Sequence, residues 1–182
     1  MESLYIEFKG RDYLEQWERV QRWYRKLLLV KHGYYKELSD RELLDIVYAF
    51  FLNVHHLKDW VGKHNNEQYK ARVEILLKER CFVLAAELAN GHKHFIKNHH
   101  SSDVQSSIKS QNVKVTVGTA FISLDPAGDI ESEVLEQCQQ RTLPGAQYSW
   151  DFIYQSEKFD CFNIGKQCYK NWFDFLQTNN LF

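Results

Sequence analysis

The chain has 182 residues and a formal charge of −1, and 44% of its residues are hydrophobic and 15% aromatic. That length suits a single domain, and that much apolar material excludes disorder of the whole. The near-neutral total excludes a globally basic nucleic-acid or acidic-membrane binder and leaves only local basic patches to consider.

The opening MESLYIEFKGRDY has no basic stretch ahead of an apolar one, so no signal peptide is expected. Apolar runs such as 48–52 and 81–86 fall far short of the roughly 20 residues that span a bilayer. Four cysteines, Cys81, Cys138, Cys161 and Cys168, contain no C-x-x-C pair. They read as free thiols of a cytoplasmic protein, because disulfides follow the redox compartment.

In chain order, Arg11–Lys31 reads as a first helix. Leu14, Trp17, Val20, Tyr24, Leu27 and Leu28 recur at three- and four-residue spacing, and Gly33 supplies a stop. Ser39-Asp40-Arg41-Glu42 is a capping box that starts a second helix running to about Gly62. Its apolar face comprises Leu43, Val47, Phe50, Phe51, Val54, Leu57 and Val61, which makes it the expected centre of the fold. A turn at 64–66 leads to a third helix, Glu67–Lys78, with Val73, Leu76 and Leu77 inward. Cys81–Ala89 is a fourth helix, rich in small residues, that Asn90-Gly91 either interrupts or ends.

Residues 98–110 are polar and serine-rich, which reads as a loop. Val113–Val117 alternates with period two and resumes after Gly118 as far as Leu124, a strand bent or folded at the glycine. Asp125–Gln147 holds both prolines, Pro126 and Pro144, and reads as a long loop with room for a helical turn. Tyr148–Tyr154 is a second strand, Gln155–Lys158 a turn, and Phe159 lies on a short returning strand. Asp160 is the N-cap expected for a last helix on which Ile164, Cys168, Trp172, Phe175 and Leu176 keep a helical beat. The aromatic C-terminal segment reads as core. The fold class is therefore α+β. Residues 10–97 form an N-terminal four-helix bundle, and 112–160 form a small antiparallel three-stranded sheet with its long loop. A C-terminal helix over 161–178 completes a single domain, 1–182.

Chemistry can sit in two polar stretches. On helix two, His55 and His56 lie four and three residues before Asp59, so the carboxylate can meet an imidazole on one helix face. A carboxylate accepting one ring N–H raises the basicity of the other nitrogen; the alternative is a partly exposed histidine packed on Trp60. The second stretch is Asn90-Gly91-His92-Lys93-His94. If the helix continues, Asn90, Lys93 and His94 share a face; if it ends at Gly91, Lys93 and His94 serve as C-terminal cations. Side by side, the two helices would gather His56, Asp59, Asn90, Lys93 and His94 into one cluster. It would have a general base, an orienting carboxylate and cationic donors suited to a phosphodiester or to a bound phosphate.

The four-helix order and the N-x-x-K-H run at 90–94 resemble HEPN domains, the higher eukaryotes and prokaryotes nucleotide-binding helical family. That resemblance implies a metal-independent ribonuclease of toxin–antitoxin, CRISPR or phage-defence type, active as a dimer. The family's hallmark arginine stands a few residues ahead of its histidine. Here Arg80 lies fourteen positions before His94, so Lys93 would have to substitute, as a point charge in place of a planar fork. The chain is also similar to uncharacterised bacterial proteins with HL-x-DW, NG-x-KH and W-x-x-FL segments, here 56–60, 90–94 and 172–176.

A metal centre would draw on His55, His56, His92, His94, His99 and His100, yet no H-E-x-x-H spacing occurs, and adjacent helical histidines diverge by about 100°. No P-loop, dinucleotide fingerprint or G-x-S-x-G elbow occurs either. Three readings follow. The first is a non-catalytic binding or assembly domain of a bacterial intracellular system such as phage defence or toxin–antitoxin. The second is a HEPN-like ribonuclease or RNA-binding module, with His94 as base, Lys93 and Asn90 on phosphate, and His56 and Asp59 in support. The third is a metal-dependent enzyme. The missing hallmark arginine ranks the binding domain first. The expected partner is an RNA or a protein, including a second copy of the chain. No membrane, cofactor or metal is expected.

Overall fold

The computed structural model describes residues 12–35, 37–63, 67–93, 126–139 and 150–182. Among them the chain is mostly helical, with a small antiparallel sheet, an α+β arrangement.

Helix α1 spans Asp12–Lys31. Gly33 ends it with φ 68°, donating to Val30 O at 3.0 Å while Tyr34 N reaches Leu29 O at 2.9 Å. These paired bonds satisfy carbonyls that the helix end would otherwise orphan, and the left-handed residue between them favours glycine. Helix α2 spans Asp40–Lys63 and starts at the expected capping box. Ser39 N and Oγ each donate to Glu42 Oε2 at 2.8 Å, and Glu42 N returns a bond to Ser39 Oγ. All seven residues of its expected apolar face are buried. Each such side chain contributes about 1.5–3 kcal/mol.

Helix α3 (Glu67–Leu76) packs on α2 and closes with tighter turns, Lys78 N to Ile75 O and Glu79 N to Leu76 O. Of its expected inward residues Val73 is buried, while Leu76 and Leu77 are half-buried. Helix α4 spans Arg80–Lys93. It therefore passes through Asn90-Gly91 without a break, because a helical glycine costs only about 1 kcal/mol when packing holds the flanks.

The long loop expected over Asp125–Gln147 is corrected: Pro126–Gln139 is helix α5. Proline at the first helical position loses nothing, since that N–H has no partner anyway. Ile130, Val134 and Cys138, spaced by four, form the buried stripe that lays α5 on α1 and α6. Glu131 fastens it there by accepting from Tyr24 Oη at 3.2 Å and Lys166 Nζ at 3.0 Å.

Strands β1 (Asp151–Tyr154) and β2 (Glu157–Asp160) form a hairpin in which Tyr154 pairs with Glu157. The two-residue turn holds Gln155 and Ser156 at φ 49° and 66°, the doubly positive geometry that matches strand twist. Trp150 precedes the strand that was expected to begin at Tyr148. The expected strand over 113–124, the loop over 98–110 and the turn at 64–66 lie outside the described residues.

Asp160 then caps helix α6 (Cys161–Thr178), its carboxylate accepting from Asn163 N at 2.7 Å. At the far end Asn180 (φ 53°) and Leu181 repeat the closure seen at Gly33, with Leu181 N on Leu176 O at 2.9 Å. Helix α6 packs against α1, α2, α4 and α5. Its Tyr169 stacks on Tyr24 (centroids 4.4 Å apart) and on Trp17 (5.0 Å), and buried Trp172 donates its indole N–H to Val54 O at 3.2 Å. The C-terminal helix thus lies within the helical layer, and its aromatics are core.

Candidate functional site

Helices α2 and α4 pack side by side, as the polar-cluster reading requires. On α2 the last three turns carry the polar residues. Asn53 faces α1, where buried Gln16 donates to its carbonyl oxygen and to its Oδ1, both at 3.1 Å. Asn53 in turn donates to Ala49 O at 2.7 Å, so this pair is satisfied and structural. Trp60 receives the Arg19 guanidinium 5.8 Å above its ring.

The histidine pair behaves differently from the sequence expectation. His55 is half-buried and Lys58 Nζ stands 3.0 Å from its Nε2, whereas His56 and Asp59 are exposed. Among the described residues no hydrogen bond or ion pair joins Asp59 to either imidazole. The expected carboxylate–imidazole contact is thus replaced by an ammonium–imidazole contact. Burial, then the Lys58 charge and then His56, hold the His55 imidazole down to about 4, against a weaker upward pull from Asp59. At neutral pH this ring is uncharged and its Nε2 is occupied as an acceptor, so it offers that nitrogen to no other proton.

On α4, Asn90 is half-buried and Lys93 is the last helical residue. The continuation of the helix places these two at i and i+3, on one face. The side chains of residues 91–93, and the whole of His94, lie outside the described residues. One turn before Asn90, Glu87 was not singled out by sequence. Among the described residues its Oε2 is buried without a hydrogen-bond partner. Of the five expected site residues, then, His56 and Asp59 stand in solvent on α2, and Asn90 and Lys93 share a turn of α4.

Among the described residues no three His, Cys, Asp or Glu side chains come together as a metal-binding group. Nor is any helix there long and apolar enough to cross a membrane. Large exposed apolar side chains occur at Ile75, Val83, Ile153 and Phe182, the first 66% and the last 53% accessible. No protein-family model, curated protein or solved structure matches this chain.

Proposed function

We propose that this chain is a non-catalytic binding or assembly domain of a bacterial cytoplasmic system of the phage-defence or toxin–antitoxin kind, with a protein, a second copy or an RNA as its partner. The observation that carries this reading is the contact of Lys58 with His55, together with the exposure of His56 and Asp59. In the catalytic reading His94 is the base and His56 and Asp59 support it; among the described residues Asp59 orients no imidazole, and the imidazole that is engaged, His55, has a cation 3.0 Å from its Nε2. The finer architecture behind the proposal is an α1–α4 bundle beside a three-stranded sheet, with its third strand over 113–124.

A second reading, a HEPN-like metal-independent ribonuclease or RNA-binding module, is favoured by one feature. Helix α4 continues through Gly91 and so puts Asn90 and Lys93 on one face just before His94. In that reading His94 is the base and Lys93 steadies the phosphate. Incubating the full chain with mixed RNAs in EDTA, beside a His94→Ala variant of equal helicity, separates the two. The binding reading expects no cleavage by either protein; cleavage by the wild type that vanishes in H94A would overturn it.

A further inference from the structure

Helices α4 and α6 bring together two cysteines that lie 87 positions apart in the chain. Cys81 is the second residue of α4, and Cys168 lies in the middle of α6; they are 3% and 0% exposed. The Cys168 thiol donates to the Cys81 carbonyl oxygen at 3.3 Å, which makes the two cysteines direct neighbours across the α4–α6 contact. A bridge between these neighbours requires the two sulfurs to close to a bonded separation of about 2.05 Å.

The two thiols are buried, but a residue in contact with Cys81 lines an open pocket. Asn171, one turn beyond Cys168, donates Nδ2 to Cys81 Sγ at 3.5 Å. Asn171 lines an open pocket of about 390 Å³ with Leu76, Glu79, Asp174 and Phe175. One amide therefore separates the Cys81 sulfur from a space that admits a peroxide. We propose that Cys81 and Cys168 form a peroxide-responsive thiol pair that closes to a disulfide joining α4 to α6.

Selectivity follows from the surroundings of the four thiols. Burial pushes Cys138, Cys161 and Cys168 up. The neighbouring Cys168 thiol holds Cys81 down against the opposing effect of burial, which favours the thiolate at Cys81 over the other three. In the first step the Cys81 thiolate attacks one peroxide oxygen. The O–O bond breaks, a sulfenic acid forms, and the departing alkoxide or hydroxide takes up a proton. In the second step the Cys168 sulfur attacks the Cys81 sulfur. The S–S bond forms, the S–OH bond breaks, and water leaves with the Cys168 proton. The two sulfurs together lose two electrons, and the peroxide gains them.

The test treats the native full chain with hydrogen peroxide, removes the peroxide, blocks residual thiols with iodoacetamide in denaturant, and maps peptides without reduction. Two of the four thiols should be lost to alkylation and return after dithiothreitol, with a Cys81–Cys168 linked peptide. Cys168→Ser should leave Cys81 as a sulfenic acid that dimedone labels, while a Cys138→Ser/Cys161→Ser double variant should still form the bridge. Absence of the linked peptide from folded wild-type protein, or first oxidation at Cys138 or Cys161, would overturn the proposal.

Discussion

Gly165 on α6 faces Leu27 on α1 so closely that a Cβ built on it would stand 2.7 Å from Leu27 Cδ2 and 3.1 Å from Phe50 Cε1. Leu27 and Phe50 are both fully buried, so neither has room to retreat. Alanine at 165 would gain about 1 kcal/mol of helix propensity, but overpacking of a filled core costs about 1–3 kcal/mol. Gly165→Ala should therefore destabilise the fold by about 1 kcal/mol, the middle of that difference, in urea unfolding. An unchanged or higher midpoint would show that the α1–α6 contact is looser than described.

Trp172 joins α6 to α2 through its indole N–H on Val54 O, and its ring meets Phe82 and Phe175 edge-on. Trp172→Phe deletes the donor and leaves a void beside α2. A lost buried hydrogen bond of about 1–3 kcal/mol adds to the cavity penalty, so a loss of roughly 2–4 kcal/mol is expected. Differential scanning calorimetry reads it directly, and a loss below about 1 kcal/mol would contradict the contact.

The cap of α6 separates shape from charge. Burial raises the Asp160 carboxyl, and the bond from Asn163 N only partly offsets this. Asparagine caps as well as aspartate and carries no charge to bury. Asp160→Asn should thus be neutral or mildly stabilising, whereas Asp160→Ala should cost about 0.5–2 kcal/mol. Equal losses in the two variants would mean that the carboxylate charge, not the cap geometry, holds this end.

His32, next to the α1 stop, is buried at 8% exposure. Burial, then Lys31, lowers it from 6.5 to about 4, and Glu131 opposes this weakly. Between those two pH values the unfolded chain binds a proton that the folded chain does not. Stability is therefore full above pH 6.5 and falls as pH drops toward 4, by on the order of 2–3 kcal/mol. His55 adds to the same slope. Urea midpoints at pH 7.5 and 4.5 should show the fall, and His32→Gln should flatten part of it; an unchanged slope in H32Q would remove His32 as its source.

Much of the helical framework is legible in the residues. The apolar face of α2, the Ser39–Glu42 box, the Gly33 stop and the Asp160 cap are local signals, and local backbone chemistry realises them unchanged. Helix α5 was hidden because Pro126, Gly128, Pro144 and Gly145 punctuate its surroundings like a loop. Its real signal was the Ile130, Val134, Cys138 stripe. The histidine pair misled for a different reason. Lys58 and Asp59 stand three and four residues after His55, so spacing allows either to reach the ring, and packing rather than sequence chooses. The Cys81–Cys168 contact had no local signature, since only tertiary folding joins α4 to α6.

The functional account rests on His55 being engaged by Lys58 rather than activated by Asp59. Histidine-resolved NMR titration of the native chain measures this most directly. The account predicts that His55 titrates near 4 and moves little in Asp59→Asn, while Lys58→Met raises it. A His55 titrating at or above 6.5 and falling in D59N would establish an acid–imidazole pair on α2 and contradict the observation on which the non-catalytic reading rests.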